Sequence, residues 1–220
     1  CSPSNSIVPK VCYSATRITV TDLCLASASP RRRELLRQIG VAHLVYVADV
    51  DERVHDGESP VDYVQRLARA KATTVFESQA APRAANGLRL PVLGADTTVV
   101  IDERILGKPT DLADCRAMLG QLAGREHEVL SAVALVREGG SDLRLSRSRV
   151  RFRPIEMAEI DWYWASGEPC DKAGAYAIQG LGAVFVEALS GSYSGVMGLP
   201  LFETATLLVA AGVPVWQAGA

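Results

Sequence analysis

The amino-acid sequence predicts an α/β fold in which helices flank a mixed sheet of parallel and antiparallel strands. Helical and strand patterns alternate along most of the chain, which is typical of α/β proteins. A predicted hairpin interrupts that alternation. The strong strand pattern Val92 to Ile101 is followed by a turn at Asp102 and Glu103, after which the chain reverses through Ile105 and Leu106. A mixed sheet is therefore favoured over a purely parallel, doubly wound one.

Length and composition indicate one domain. Of the 220 residues, 48% are hydrophobic and 22% are charged, which is the composition of an ordinary globular protein with enough chain for one large core. Residues 1–21 mix Ser, Pro, Thr and isolated apolar residues without a helix or strand period, so we interpret them as an N-terminal tail. Residues 22–220 are expected to form a single, bilobed domain.

The first two helices have clear start signals. Ser29-Pro30 supplies an N-cap followed by proline at the first helical position, and this helix is predicted to end at Ile39, before Gly40. Ser59-Pro60 repeats the signal for a second helix, which is predicted to run to about Glu77.

The remaining elements follow from apolar periodicity and turn residues. They are a strand over Leu23–Ala26 before the first helix, an exposed insertion over 78–90, a third helix over about 111–122, strands over about 127–136 and 143–153, a helix over 156–165, strands near 176–178 and 183–189, a turn at Gly191-Ser192-Tyr193, and a closing helix over 200–211.

Charge and cysteine content argue against several classes of protein. A formal net charge of -2 is unlike that of a sequence-independent nucleic-acid binder, which needs a surplus of Lys and Arg. No apolar run approaches the roughly 20 residues that span a bilayer, and residues 1–21 lack a leader pattern. We therefore expect neither a nucleic-acid partner nor a membrane anchor. The five cysteines are scattered without a CxxC pair, which favours a reducing, cytoplasmic environment.

Several well-known motifs are missing from the sequence. It contains no GxxxxGK[ST] phosphate-binding loop, no GxGxxG after the first strand and no GxSxG around a helix start. The three histidines, His43, His55 and His127, are widely spaced, so a zinc site is not expected. Any anion or nucleotide site must therefore be built in another way.

Three consecutive arginines, Arg31, Arg32 and Arg33, occupy the first turn of the first predicted helix. The N-terminus of a helix already carries about half a positive charge, so cations there are unfavourable by a few tenths of a kcal/mol each. A bound anion would compensate, since free N–H groups and guanidinium groups both bind phosphate. The alternative is a solvated basic turn, and this segment alone does not decide between them.

Two charged residues, Lys71 and Asp96, lie in positions that should be buried. Lys71 continues the apolar stripe Val64, Leu67, Ala68 of the second helix, and Asp96 interrupts an otherwise apolar strand. A buried charge needs a partner, which is either a structural group or a ligand. For Asp96, a metal ion, a cationic side chain or a raised pKa would each supply compensation, and each also suits a general base or metal ligand. A simple turn cap at the strand end is the alternative.

A glycine-rich segment near the C-terminus permits a ligand to approach the backbone closely. It begins at Asp171-Lys172-Ala173-Gly174 and includes Gln179, whose amide has both a donor and an acceptor and so suits a nucleobase edge. Gln179 could equally be a surface turn residue. In Gly107-Lys108-Pro109, Lys108 would return toward Asp96 after the hairpin, although a solvated loop lysine is the simpler interpretation.

Taken together, the motifs resemble those of the Maf proteins, a family of nucleotide pyrophosphatases, over about residues 22 to 212. The matching segments, in the family's order, are Leu25-Ala26-Ser27-Ala28-Ser29-Pro30-Arg31-Arg32, Gly94-Ala95-Asp96-Thr97, Gly107-Lys108-Pro109, Asp171-Lys172-Ala173-Gly174, and Gly191-Ser192-Tyr193 with Gly198-Leu199-Pro200. The departures are the tail, the 78–90 insertion and Gly195, where many members carry Asn.

The resemblance implies a role for each site residue. Asp96 matches the proton acceptor of the family and is also expected to bind the metal. Glu52 matches, more loosely, an acidic position near the metal. Arg32, Lys71 and Lys108 match phosphate contacts, and Ser29 belongs to the same substrate-binding motif. Arg31, Thr97 and Gln179 match positions that bear on substrate choice, and the segment around Gln179 is similar to the subgroup acting on dTTP and UTP.

The resemblance further implies an elongated mixed α/β fold with a central cleft, shared with inosine triphosphate pyrophosphatases, and a homodimer. Hydrolysis of dTTP or UTP to the monophosphate and pyrophosphate is the expected reaction, with Mg²⁺ or Mn²⁺ as cofactor. Two alternatives remain at this point: a nonhydrolytic nucleotide-binding regulator of cell division, which would not need Asp96 as a base, and a pyrophosphatase for non-standard purine triphosphates.

Overall fold

The computed structural model describes residues 22–78, 80–84 and 86–217. In these residues a seven-stranded mixed sheet is flanked by helices, which confirms the predicted fold class. The expected tail, residues 1–21, lies outside the described residues. Among the described helices, none combines the length and apolar character needed to cross a membrane.

The helices and strands have the following bounds. The α-helices are α1 (Pro30–Gln38), α2 (Pro60–Glu77), α3 (Leu112–Leu122), α4 (Met157–Ala165), α5 (Tyr193–Met197) and α6 (Leu201–Ala210). The strands are β1 (Leu23–Ala26), β2 (His43–Tyr46), β3 (Val92–Ile101), β4 (Arg104–Leu106), β5 (Glu126–Arg137), β6 (Gly140–Phe152) and β7 (Val186–Ser190). Short 3-10 turns cover Glu168–Asp171, Ala173–Ala175 and Leu181–Phe185.

The strand order is β2-β1-β3-β5-β6-β7, with β4 paired to β3. β1 runs parallel to β2 and β3, whereas β3, β5, β6 and β7 pair in antiparallel fashion. On one edge of β3, β1 pairs as far as Gly94 and β4 pairs from Val99 onward. In the described part of the chain, residues 95–98 are therefore paired on their β5 side alone, which leaves a gap in the middle of the sheet.

The two faces of the sheet bury different helices, because successive side chains of a strand point in opposite directions. On one face, Leu93 and Ala95 of β3 pack with buried leucines of α1 and α6. On the other face, Val92 packs with the apolar stripe of α2. Asp96 has the same strand parity as Val92, so its side chain is directed to the α2 face. A third cluster joins α3 and α4 to the far ends of the strands.

The predicted helix starts are confirmed. Ser29 caps α1 by accepting a hydrogen bond from the backbone N–H of Arg32, and Ser59 caps α2 by accepting one from Asp62. Gly40, just beyond α1, has a left-handed φ of 66°, a conformation that glycine adopts at low cost.

One prediction near the C-terminus is wrong and another is right in part. Residues 176–178 form no strand, whereas the strand expected over 183–189 is present as β7 (Val186–Ser190), preceded by a 3-10 turn. The chain bends at Gly191, within the expected turn at 191–193, and leads directly into α5, which was not predicted. The backbone before Tyr176 is left-handed at Gly174 and Ala175, with φ of 67° and 59°, so it leaves the extended conformation that a strand requires. The short strand β2 was not predicted.

Candidate active site

A cavity of about 540 Å³ opens at the gap beside residues 95–98 of β3. The carboxyl end of β1 and the N-terminus of α1 also border it. Small-molecule sites typically have volumes of about 300–1,000 Å³, and in α/β sheets they lie at the carboxyl ends of strands where neighbouring connections diverge. The sheet topology alone therefore makes this cavity the candidate site.

All nine residues predicted from the sequence line this one cavity, although they come from six separate parts of the chain. They are Ser29, Arg31, Arg32, Glu52, Lys71, Asp96, Thr97, Lys108 and Gln179. Their proximity is a property of the structure, whereas the role of each residue stays a prediction.

At the centre of the site, one lysine joins two carboxylates. Lys71 Nζ lies 2.8 Å from Asp96 Oδ1 and 2.6 Å from Glu52 Oε1. Lys71 and Asp96 are largely buried, whereas half of the Glu52 side chain is exposed. We call these three residues the carboxylate–lysine cluster. Lys71 thus finds carboxylate partners in the protein itself, and its contact with phosphate stays a prediction.

Burial raises the pKa of Asp96 above its ordinary value, and the nearby charges of Lys71 and Arg32 oppose that rise. A carboxyl group in such an environment accepts a proton more readily than an exposed one. Perturbed carboxyl groups of this kind are common in active sites. The environment of Asp96 therefore suits a proton acceptor.

Close packing of α2 against β3 positions the cluster. A Cβ atom added to Gly94 would lie 2.7 Å from Ala72 N and would also overlap Ala68 O of α2. Glycine is thus required for α2 to approach the strand this closely. Because Lys71 lies on the same stretch of α2, the same approach brings its side chain to Asp96.

The loop that carries Glu52 is attached to α2 by side-chain contacts. Tyr63 donates a hydrogen bond from its hydroxyl to the Glu52 carbonyl oxygen at 3.0 Å. Arg66 donates from Nη2 to the Arg53 carbonyl oxygen at 2.9 Å and pairs with Glu58. Through these contacts one helix positions both Lys71 and the exposed Glu52.

The arginines at the start of α1 extend the site toward the chain's C-terminal segments. Arg32 donates from Nε to the Gly198 carbonyl oxygen at 2.8 Å and from Nη1 to Ser27 Oγ at 3.1 Å. These contacts fix the guanidinium at the cavity wall. Ser29 serves as the helix cap and also lines the cavity.

Thr97, Lys108 and Gln179 also line the cavity. Thr97 Oγ1 is 2.9 Å from Ser131 Oγ of β5. Lys108 and Gln179 are both exposed, so they are free to contact a ligand that enters from solvent. Lys108 also acts electrostatically on Glu52, which places it near the carboxylate–lysine cluster, as its position after the hairpin predicted.

Sequence reasoning missed two residues that line the cavity, Tyr63 and Lys172. Tyr63 lies two helical turns before Lys71, and this spacing on one helix face was a usable signal. Burial, together with Asp96 and Glu52, raises the pKa of Tyr63 to about 12. Lys172 belongs to a recognised motif but was not assigned a role, and it contacts the neighbouring Asp171.

The charge balance of the cavity differs from that of the whole chain. Five cationic side chains and three carboxylates line it, so the wall has an excess of positive charge although the protein has a formal net charge of -2. A polyanionic ligand is the kind of molecule such a wall attracts.

The donor set suits a hard divalent cation that arrives with a phosphate. Within the described residues, no three His, Cys, Asp or Glu side chains converge into a complete metal site. Glu52 and Asp96 do converge, since Lys71 Nζ contacts both. Mg²⁺ is commonly held by one or two carboxylates together with substrate phosphate oxygens, so these two residues fit such an ion.

Comparisons with known proteins show which family the chain is similar to. The family profile described as "Maf-like protein" matches residues 22–211. A Saccharophagus degradans protein named dTTP/UTP pyrophosphatase is 56% identical over 197 residues, which cover 89% of this chain and 91% of the relative. Proteins of the same name from Bordetella parapertussis (53% identical, covering 88% of this chain and 94% of the relative) and Methylobacillus flagellatus (50% identical, covering 90% and 96%) are similar over the same extent.

Proposed function

The chain belongs to the Maf family, and from this premise we propose that it is a nucleoside triphosphate pyrophosphatase that hydrolyses dTTP and UTP to the monophosphate and pyrophosphate. The family match confirms the resemblance found in the sequence motifs. The substrates are those named for three relatives that are at least 50% identical to this chain.

One structural observation carries the assignment to this cavity. A buried carboxyl group, Asp96, lies beside the cations Lys71 and Arg32 in the wall of a cavity large enough for a nucleotide. A reaction at phosphorus needs both parts, since a base must act on water while cations stabilise the charge on the phosphate oxygens. A protein that only bound nucleotides would need the cations but not the buried acid.

Arg32, Lys71 and Lys108 neutralise the triphosphate in the proposed mechanism. The guanidinium of Arg32 is held by Gly198 and Ser27 through Nε and Nη1, which leaves its remaining N–H groups for phosphate oxygens. The N-terminus of α1, where Ser29 caps the N–H of Arg32, adds a further partial positive charge. Charge that develops on the leaving pyrophosphate is stabilised by the same groups.

Asp96 accepts a proton from the attacking water. Among the described residues, Lys71 donates a hydrogen bond to Oδ1 of Asp96, and we assign the water to the other oxygen, Oδ2. The oxygen of this water forms a bond to the α-phosphorus, and the bond between that phosphorus and the bridging oxygen of pyrophosphate breaks. The proton of the water passes to the carboxylate, so the products are the monophosphate and pyrophosphate.

Glu52 and Asp96 would hold the divalent cation, Mg²⁺ or Mn²⁺, which supplies Lewis-acid stabilisation of the phosphate oxygens when bound. Lys71 contacts both carboxylates, so it keeps them near one another before substrate arrives. Arg31, Thr97 and Gln179 are proposed to recognise the nucleobase and sugar. As a homodimer in the cytoplasm, the protein would act on the cellular nucleotide pool; dimer and location stay predictions.

A panel of nucleoside triphosphates with pyrophosphate detection tests this function. We expect dTTP and UTP to be hydrolysed faster than CTP, ATP, GTP and 7-methyl-GTP, with one pyrophosphate released per nucleotide and with loss of activity in chelator. Release of inorganic phosphate instead of pyrophosphate would contradict the assigned bond cleavage. Binding of UTP without turnover in the presence of Mg²⁺ and Mn²⁺ would indicate a nucleotide-binding regulator, and faster hydrolysis of inosine triphosphate would indicate a purine-directed enzyme.

A further inference from the structure

The turn that carries Gln179 is held by two residues that do not line the cavity. Gln179 is exposed and lines the cavity, at the end of the buried stretch Tyr176 to Ile178. This stretch belongs to no strand, so its backbone groups are not fixed by a ladder. The Ala177 N–H is bound instead by the side chain of Tyr163 in α4, and the backbone beyond Gln179 is bound by Glu168 in the 3-10 turn that follows α4.

Hydrogen bonds from this pair reach the turn on both sides of Gln179. The Ala177 backbone N–H donates to the Tyr163 hydroxyl oxygen at 3.0 Å, before Gln179 in the chain. The backbone N–H groups of Leu181 and Gly182, after Gln179, donate to Glu168 Oε2 and Oε1, each at 3.0 Å.

A direct hydrogen bond links the two side chains. The Tyr163 hydroxyl donates to Glu168 Oε1 at 2.7 Å. The tyrosine and the glutamate therefore form one unit that binds the backbone on either side of a single exposed residue.

Two glycines show how closely the turn lies against this unit. A Cβ atom on Gly180 would overlap the Glu168 carboxylate, with its Cδ at 2.5 Å. A Cβ atom on Gly182 would lie 2.8 Å from the Tyr163 hydroxyl oxygen. Both residues must be glycine for the turn to pack in this way, since real Cβ atoms do not approach other atoms so closely.

Glu168 also acts on a second residue of the site. Burial lowers the pKa of Arg31, and the negative charge of Glu168 opposes that effect. Partial burial opposes ionisation of Glu168 itself, but the hydrogen bonds from Gly182, Tyr163 and Leu181 outweigh it, so the pKa of Glu168 is lowered. The carboxylate is thus ionised at neutral pH, and it accepts hydrogen bonds from the backbone of the turn.

We propose that Glu168, acting with Tyr163, is a positioning residue for base selection: it holds the turn so that the Gln179 amide faces the nucleobase. This inference rests on the proposed function, because it concerns how that same cavity distinguishes nucleobases. Neither residue lines the cavity, so each acts on the substrate indirectly, chiefly through Gln179.

The test uses Glu168→Gln and Tyr163→Phe in the full chain. In Glu168→Gln, an NH₂ group replaces one of the two acceptor oxygens and faces a donor. Mispairing of one such group corresponds to a roughly 5- to 100-fold effect. We expect the UTP-to-ATP ratio of kcat/KM to fall about 5-fold, at the lower end of this range, mainly through a higher KM for UTP, and hydrogen exchange of residues 177–183 to become faster without substrate.

Asp161→Asn is the matched control, since Asp161 lies on α4, as Tyr163 does, but pairs with Arg116 of α3 and does not line the cavity. It should change neither the selectivity nor the exchange of residues 177–183. Unchanged exchange in both test variants would overturn the inference. Faster exchange with equal losses for UTP and ATP would also overturn it, because the turn would then serve the phosphate chemistry.

Failure of the proposed function gives a different result. A wild-type protein that hydrolyses no nucleoside triphosphate would refute the function and, with it, a role in base selection, whatever the exchange data show. If the wild type turns over normally and both variants keep its selectivity and its hydrogen exchange, the function stands and this inference alone is refuted.

Discussion

The carboxylate–lysine cluster and the 172–182 segment lie in the same cavity but are held by different kinds of structure. Asp96 is part of a regular antiparallel ladder, opposite Ala132 of β5, and Lys71 is part of an 18-residue helix. The 172–182 segment consists of short 3-10 turns and irregular backbone, whose amides bind the side chains of Tyr163 and Glu168.

This difference separates two tasks of the site. Phosphate chemistry requires the reacting groups to be held accurately, and regular elements position side chains more accurately than loops do. Base selection needs a surface that can differ between related proteins, and such surfaces are usually built on connecting segments. Substitutions in the cluster should therefore affect all substrates, and substitutions in the segment should affect the choice among them.

The largest effect is expected from Asp96→Asn in the cluster. Loss of a general base typically lowers the rate about 10² to 10⁴-fold, and the amide retains the size of the carboxylate. We expect kcat to fall within this range for dTTP and UTP alike, while binding of a nonhydrolysable UTP analogue, measured by calorimetry, is retained. Near-normal pyrophosphate release would refute the role of Asp96.

Gly94→Ala tests whether the packing of α2 on β3 positions the cluster. The added Cβ would lie 2.7 Å from Ala72 N, so the helix must move, and such overpacking costs about 1–3 kcal/mol. We expect this loss of unfolding free energy in chemical denaturation, with slower turnover of every substrate. Gly120→Ala is the control: its Cβ meets nothing within 4 Å in the exposed part of α3, and a gain of about 0.5–1 kcal/mol is expected.

Acid should destabilise the folded protein through His127, a buried residue that contacts Tyr176 of the 172–182 segment. This buried side chain is 2.9 Å from the Tyr176 hydroxyl, its Nδ1 has no partner among the described residues, and burial lowers its pKa to about 4. The unfolded chain therefore binds the proton first as the pH falls below about 6.5. The contribution of neutral His127 to the free energy of unfolding is therefore fully present above that pH and is lost progressively as the pH falls to about 4.

Denaturation of the wild type and of His127→Gln at pH 6.5 and pH 5 measures this effect. The wild type should lose about 1.5 kcal/mol more than the variant between these pH values. His43 and the carboxyl groups are present in both proteins, so their contributions cancel. An equal loss in both would mean that His127 binds a proton as readily in the folded protein as in the unfolded chain.

The smallest effect is expected from Gln179→Glu. Gln179 is exposed in the protein without ligand, so we expect the lower end of the range for a mispaired amide, about 1 kcal/mol or roughly 5-fold. The ratio of UTP to 7-methyl-GTP hydrolysis should fall while pyrophosphate remains the product. A uniform loss for every nucleotide would assign Gln179 to phosphate chemistry and would remove the distinction between the two regions.

The sequence by itself determined most elements and the residues of the cluster. Lys71 and Asp96 could be found because each is a charge within an apolar pattern, and a buried charge requires a partner. Arg31, Arg32, Lys108 and Gln179 were also singled out by their sequence context. The family motifs added the site roles of Ser29, Glu52 and Thr97, and all of these residues line one cavity. Helix starts were equally predictable, since the N-cap signals at Ser29 and Ser59 are local.

Only the tertiary structure decided which groups become partners. Apolar periodicity reports that a residue is buried but not what buries it, so Tyr176 to Ile178 was predicted as a strand although it packs without one. The contacts of Tyr163 and Glu168 with the segment join residues 13 or 14 positions apart across irregular backbone, and no periodic signal marks them. The gap beside residues 95–98 likewise exists because β1 and β4 meet the same edge of β3 at different points, which is a property of strand pairing in space.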